Sequence, residues 1–169
     1  EELIHGVCGS PLVIEDLVIV SPPSDDGPCL AAFDRHDGSV KWKCDSDWRA
    51  SYSSPALMKI AGTEQILLHA GPGVLAVDPK NGRTLWQHEF TNEHDSNVTQ
   101  PMQGKDTPDD LFLATGYQGG ITRISVRRSD DGSFQGEKRW ETRRTMRTRF
   151  SNIAQFGDVV VGLDDNILC

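Results

Sequence analysis

Long apolar runs are missing from this sequence. Hydrophobic residues make up 37 % of it, yet no stretch approaches the ~18 consecutive apolar residues of a membrane-spanning helix. Positive charge is in short supply as well. Seventeen Lys and Arg stand against 25 Asp and Glu, a net charge of −8, which argues against general nucleic-acid binding. The four cysteines (Cys8, Cys29, Cys44, Cys169) form no CxxC pair and no zinc spacing. Helical periodicity is absent throughout. No GxSxG elbow and no HExxH helix occur, which removes two common hydrolase signatures. The opening EELIHGV lacks the charged start and apolar core of a signal peptide. Either an export signal has been removed or the sequence is an excerpt of a longer one.

What the sequence does contain is a repeat. AFDRHDGSVKW (Ala32 to Trp42) returns as AVDPKNGRTLW (Ala76 to Trp86), 44 residues later, with Ala, Asp, Gly and Trp at the same offsets. A fixed period of this size marks a repeat architecture. Each copy reads as a β-hairpin. A strand of small and large apolar residues ends in Asp34 or Asp78, whose carboxylate can accept backbone N–H groups of the turn. A four-residue turn follows, closing on Asp37-Gly38 or Asn81-Gly82, dipeptides suited to positive φ. The alternating return strand places Trp42 and Trp86 on one face, where a flat indole would pack between neighbouring units.

Taken in order, the chain divides into four units. The first (9–44) runs through GSPLVIE, DLVIVSP, a loop rich in Ser, Pro, Asp and Gly (Ser21 to Pro28), and the first hairpin. The second (53–90) repeats the plan, with Pro55 lying 44 residues after Pro11. The third (99–142) keeps its early strands, DLFLATG and GITRISV, but loses the Ala and Asp of the motif. Its turn swells to RRSDDGSFQGE before Trp140, which reads as a loop insertion. The fourth (150–169) opens with FSNIAQ and DVVVGLD, and Cys169 falls inside its third strand, so the chain stops mid-strand. With the first hairpin turning at 35–38, Phe33 faces Val40 and Cys29 faces Cys44. Two readings of that pair stand: a disulfide or two free buried thiols.

Four-stranded units of this period, each carrying a hairpin like A-x-D-x-x-(T/N/D)-G-x-x-x-W, resemble quinoprotein-type β-propeller repeats. The pattern is similar to the tryptophan-docking motif of pyrroloquinoline quinone (PQQ) dehydrogenases and of PQQ-like repeat proteins. The resemblance covers nearly the whole chain, about three and a half blades of a family that commonly has roughly six to eight. It implies an all-β fold of four-stranded antiparallel blades and an exported bacterial protein, periplasmic or extracellular. PQQ enzymes of the family use calcium held by acidic and amide side chains, an Asp base and an adjacent Cys-Cys pair. This sequence has no Cys-Cys pair, and no calcium ligands can be placed on it. No cofactor is assignable, and PQQ and calcium enter only if the parent is a quinoprotein enzyme. Other members are scaffolds, similar to the lipoprotein of the outer-membrane assembly machine, or sensor domains. The expectation is a non-catalytic binding or scaffolding module; the alternatives are a fragment of a PQQ-dependent alcohol or sugar dehydrogenase and an extracytoplasmic sensor domain.

Chemistry-bearing residues are sparse. His88, Glu89, Glu93, His94 and Asp95 gather in one stretch without metal-ligand spacing, which reads as a solvated connection. From Arg127 to Arg149, eight Lys and Arg face four acidic residues, read as a solvated outer surface or a local anion-binding one. In an up-and-down blade the links between units share a face with the turns between second and third strands. That face gathers 45–53, 92–97 and 143–149, and offers Trp48, Arg49, Tyr52, His94, Asn97, Arg147 and Arg149 to a protein or a small polar ligand. The alternative is a polar rim with no ligand. Ser54, Gln100 and Asn152 start the innermost strands and would point toward the axis. Two such partial rings meeting head to tail would cover each other's open ends.

Overall fold

A computed structural model describes residues 5–22 and 28–169; the centre of the loop read between the second and third strands lies outside them. Sixteen short strands, and no helix, occur among the described residues. The first four, β1 (Leu12–Ile14), β2 (Leu17–Val20), β3 (Ala31–Asp34) and β4 (Val40–Lys43), pair antiparallel in chain order. The second sheet repeats this with β5 (Ala56–Ile60), β6 (Thr63–His69), β7 (Gly73–Val77) and β8 (Thr84–Glu89). The third is built from β9 (Met102–Gln103), β10 (Asp110–Thr115), β11 (Gly120–Arg128) and β12 (Phe134–Thr142). Two small hairpins follow, β13 (Ala154–Phe156) with β14 (Val159–Val161), and β15 (Leu163–Asp164) with β16 (Ile167–Leu168). This is the meander of a partial β-propeller.

Side-chain alternation explains why the middle strands are apolar without interruption. In β6, Ile66 and Leu68 join one apolar cluster with Ile19, Ala32 and Trp42 of the first sheet, while Leu67 joins another with Leu111 and Leu113 of the third. In β7, Leu75 and Val77 face the first sheet and Val74 and Ala76 face the third. The same split recurs in β10, where Leu111 and Leu113 look back and Phe112 and Ala114 look forward. The second and third sheets are thus covered on both faces by their neighbours, at about 1.5–3 kcal/mol for every fully enclosed Leu, Ile or Val.

The hairpins carry the repeat chemistry. Asp34 Oδ1 accepts the His36 amide at 2.8 Å and Asp78 Oδ1 the Lys80 amide at 2.8 Å. Gly38 and Gly82, at φ 72° and 73°, close the turns by donating to the Asp34 and Asp78 carbonyls, each at 2.9 Å. Both hairpins then bulge at the same place, between Ala32 and Phe33 and between Ala76 and Val77. The bulge corrects one expectation. Phe33 does face Val40, but the shift sets Leu30, not Cys29, opposite Cys44, whose amide donates to the Leu30 carbonyl at 2.9 Å.

Trp42 and Trp86 are 7 % and 5 % exposed, and each lies on a glycine of the following sheet. A Cβ built on Gly82 would stand 2.4 Å from the Trp42 ring, and one on Gly136 3.2 Å from the Trp86 ring. Gly136 precedes Trp140 by four residues, as Gly82 precedes Trp86. It is therefore the motif glycine of the third unit. The swollen turn expected there is instead a longer hairpin: β11 and β12 have nine residues each, and Ser129–Ser133 closes them with a 2.9 Å hydrogen bond. The added residues extend the strands because they alternate and pair, from Arg128 opposite Phe134 inward. Trp140, 42 % exposed, lacks the cover its two counterparts have.

Candidate functional site

The links between sheets are laid down by one hydrogen-bonding scheme. Ser51 Oγ donates to the Asp95 carbonyl at 3.0 Å and accepts the Asn97 amide at 2.7 Å, and the Tyr52 amide donates to the Asn97 carbonyl at 3.0 Å. Each link also touches the turn between second and third strands of the next sheet. The Gly71 amide donates to Arg49 O at 3.1 Å and the Asp165 amide to Arg147 O at 3.3 Å. Toward the axis, the Ser10 amide donates to Ser54 Oγ at 2.8 Å, Gln100 Nε2 to Ser54 O at 3.3 Å, and the Gln100 amide to Asn152 Oδ1 at 2.9 Å. Ser54, Gln100 and Asn152 therefore stitch consecutive sheets together.

Two of the seven face residues singled out from the sequence are enclosed. Asn97 is fully buried; its Nδ2 donates to the carbonyls of Ala70 at 2.6 Å and Gly71 at 2.9 Å, while its Oδ1 accepts from Asn92 at 2.9 Å. Such an amide braces the link and presents nothing to a ligand. Tyr52 is buried as well, its ring 5.8 Å from that of His5. Trp48 is half-buried against the first apolar cluster. Arg49 reaches across to the Asp95 carboxylate. Arg147 grips Asp164 with two hydrogen bonds, 2.7 and 2.9 Å, which hold the Asp164 carboxyl down at about 2.

His94 and Arg149 come together around a residue the sequence reading passed over. Tyr117 meets the His94 ring edge-on at 5.0 Å, and the Arg149 guanidinium lies over its face at 5.4 Å. Arg149 also pairs with Asp165 at 3.2 Å. Tyr117 and Gln118 both hold positive φ, 50° and 64°, in a tight turn where Asn-Gly would be unstrained. The signal was present: this turn, between DLFLATG and GITRISV, belongs to the same face by topology. The result is an aromatic ring flanked by an imidazole and a cation, bordered by Arg49–Asp95 and Arg147–Asp164 pairs. It can stack on a planar or apolar group and offer charge of either sign at its edge.

Asp95, Asp164 and Asp165 of this face are engaged by guanidinium groups, and among the described residues no three His, Cys, Asp or Glu converge where a metal ion could sit. His88 turns away from the other acidic and imidazole groups of its stretch, its Nδ1 3.2 Å from the Gly136 carbonyl. An open cleft of about 570 Å³ lies elsewhere, between the third sheet and the β13–β14 hairpin, lined by Phe112, Trp140, Met146 and Val160. Among the described residues, no helix is long and apolar enough to cross a membrane.

Residues 2–168 match a protein-family model described as outer membrane protein assembly factor BamB. No curated protein sequence matches the chain.

Proposed function

The chain belongs to the PQQ-like β-propeller repeat family described by the outer membrane protein assembly factor BamB, and on that basis we propose that it is a non-catalytic binding or scaffolding module working in the periplasm or outside the cell. The observation that carries the reading is the Tyr117 platform. A ring held in a strained turn, with His94 and Arg149 packed on it, is a preformed contact surface. Aromatic and arginine side chains on rigid scaffolds are the usual anchors of recognition sites. The salt-bridged rim fits a protein or a small polar ligand.

The test compares two places on the folded chain. A photo-crosslinking residue replacing His94 is expected to capture a partner in an extract of the native cell envelope, and one replacing Asp131, in the turn at the far end of the third hairpin, is not. Equal capture at both positions would remove the loop face from the reading. Dye-linked oxidation of alcohols or sugars by the chain with added PQQ and calcium, above a buffer control, would move the protein to the dehydrogenase alternative.

A further inference from the structure

The first sheet holds two thiols that no part of the reading above employs. Cys29 Sγ and Cys44 Sγ lie 3.5 Å apart, inside the apolar cluster shared with Ile19, Trp42 and Leu68. Cys29 is fully enclosed and Cys44 is 6 % exposed. Cys44 sits just after β4 and Cys29 just before β3, and the 2.9 Å bond from the Cys44 amide to the Leu30 carbonyl holds the two backbones at strand spacing. The other cysteines are placed differently. Cys8 and Cys169 are exposed, and Cys169 Sγ approaches Met146 Sδ at 3.8 Å.

We propose that Cys29 and Cys44 are a redox site, closing to a disulfide that clasps the base of the first hairpin. The sulfurs must approach from 3.5 Å to about 2.05 Å, within the reach of side-chain rotation when strands are already paired. The oxidant is a dithiol–disulfide compound, a small disulfide or a disulfide-exchanging protein. Cys44, the less enclosed thiol, attacks one oxidant sulfur as a thiolate, forms a mixed disulfide and releases the first oxidant thiolate. Cys29 then gives up its proton and attacks Cys44 Sγ, releasing the second. Two protein thiols and one oxidant disulfide become one protein disulfide and two oxidant thiols, with two electrons passed to the oxidant. The local chemistry favours this order. The hydrogen bond from Cys29 lowers the Cys44 thiol to about 6, while that interaction and burial push Cys29 up.

The clasp has a consequence for the loop face. Residue 45 begins the link that carries Trp48 and Arg49, and Trp48 packs on the cluster that contains both cysteines. Closing the bridge fixes the root of that link, whereas the reduced pair leaves it held by packing and one amide bond. The inference stands whether or not the face binds a partner.

The experiment is a refolding in glutathione buffers of graded poise, followed by alkylation in denaturant. Trypsin leaves Cys8 and Cys29 on one peptide, since no Lys or Arg precedes Arg35, so the mapping uses the C8S/C169S chain. The expected product is a reductant-sensitive link between the peptide ending at Arg35 and the one spanning 44–49, with no alkylation until reductant is added. Its melting temperature should fall by roughly 5–10 °C on reduction, as expected for a loop of this size in a chain of this length, and the C8S/C44S/C169S chain should show no such shift. Alkylation of both thiols under conditions that fully oxidise a control disulfide, or a bridge only between chains, overturns the proposal. If the double variant fails to fold, the unsubstituted chain decides: Cys8 and Cys169 alkylated or carrying glutathione, with Cys29 and Cys44 joined to each other, support it, and Cys29 and Cys44 alkylated or carrying glutathione overturn it.

Discussion

His69 shows how one enclosed side chain ties stability to pH. Its ring is fully buried, stacked on Phe90 at 6.3 Å; Nδ1 donates to the Thr99 carbonyl at 3.2 Å, and Nε2 has no partner among the described residues. Burial lowers its pKa from 6.5 to about 4. Above 6.5 the imidazole is neutral in both folded and unfolded chains. As pH falls from 6.5 toward 4 only the unfolded chain takes up the proton, so stability is lost across that window, by about 3 kcal/mol. Urea midpoints at pH 7.5 and 4.5 are expected to diverge more for the native sequence than for His69→Phe; equal divergence would show that other groups set the slope. Gln65 is a second enclosed polar residue, and its Oε1 accepts the Trp86 indole N–H at 2.7 Å. Gln65→Leu orphans that buried donor and should lower stability by about 1–3 kcal/mol, read from the denaturation midpoint. At Gln118, where φ is 64°, glycine removes the left-handed strain and is expected to be neutral or stabilising, by roughly 0.5–1 kcal/mol.

At the scale of the element, the hairpins explain what the sequence disclosed and what it withheld. The Asp, the turn glycine and the tryptophan of the first two hairpins were legible because each acts through local backbone geometry repeated at a fixed offset. The third hairpin was misread because its motif glycine lies inside a strand and has no part in the turn. Gly136 sits inside β12 and supplies a flat place for the Trp86 ring, which is a requirement of the preceding sheet and leaves no mark on turn composition. Alanine substitutions separate the two roles. Gly82→Ala meets both a positive φ and a 2.4 Å approach to the Trp42 ring, and should destabilise by more than 2 kcal/mol, on the order of strain and overpacking combined. Gly136→Ala meets only the 3.2 Å contacts with Trp86 and Ile124, for about 1 kcal/mol. Equal losses at the two sites would deny the glycine its separate turn role. The Cys29–Cys44 register was likewise missed by one residue, because a bulge depends on tertiary packing that alternation does not encode.

At the scale of the whole molecule, the sheets form a series in which Trp42 and Trp86 each lie on the next unit, and the series is uncovered at both sides. Gly38 would meet nothing if given a Cβ, and Trp140 is open to water. Phe150, Phe156, Val159, Ile167 and Leu168 are exposed in the fourth unit. Apolar surface of this kind together with strand edges favours association, so size-exclusion with light scattering is expected to show a dimer or larger species at micromolar concentration, reduced by Phe156→Asp and Ile167→Asp. A monomer throughout would show that these faces tolerate water. The fold was readable because repetition amplifies weak local signals. The Tyr117 cluster was not, because His94, Tyr117 and Arg149 come from three separate turns and meet only after the sheets stack. The four indoles also give the chain a built-in optical gauge. Trp42 and Trp86 should emit toward the blue and resist iodide, while Trp140 should emit toward the red and be quenched first. The order in which these signals change during unfolding would report which unit boundary opens before the others.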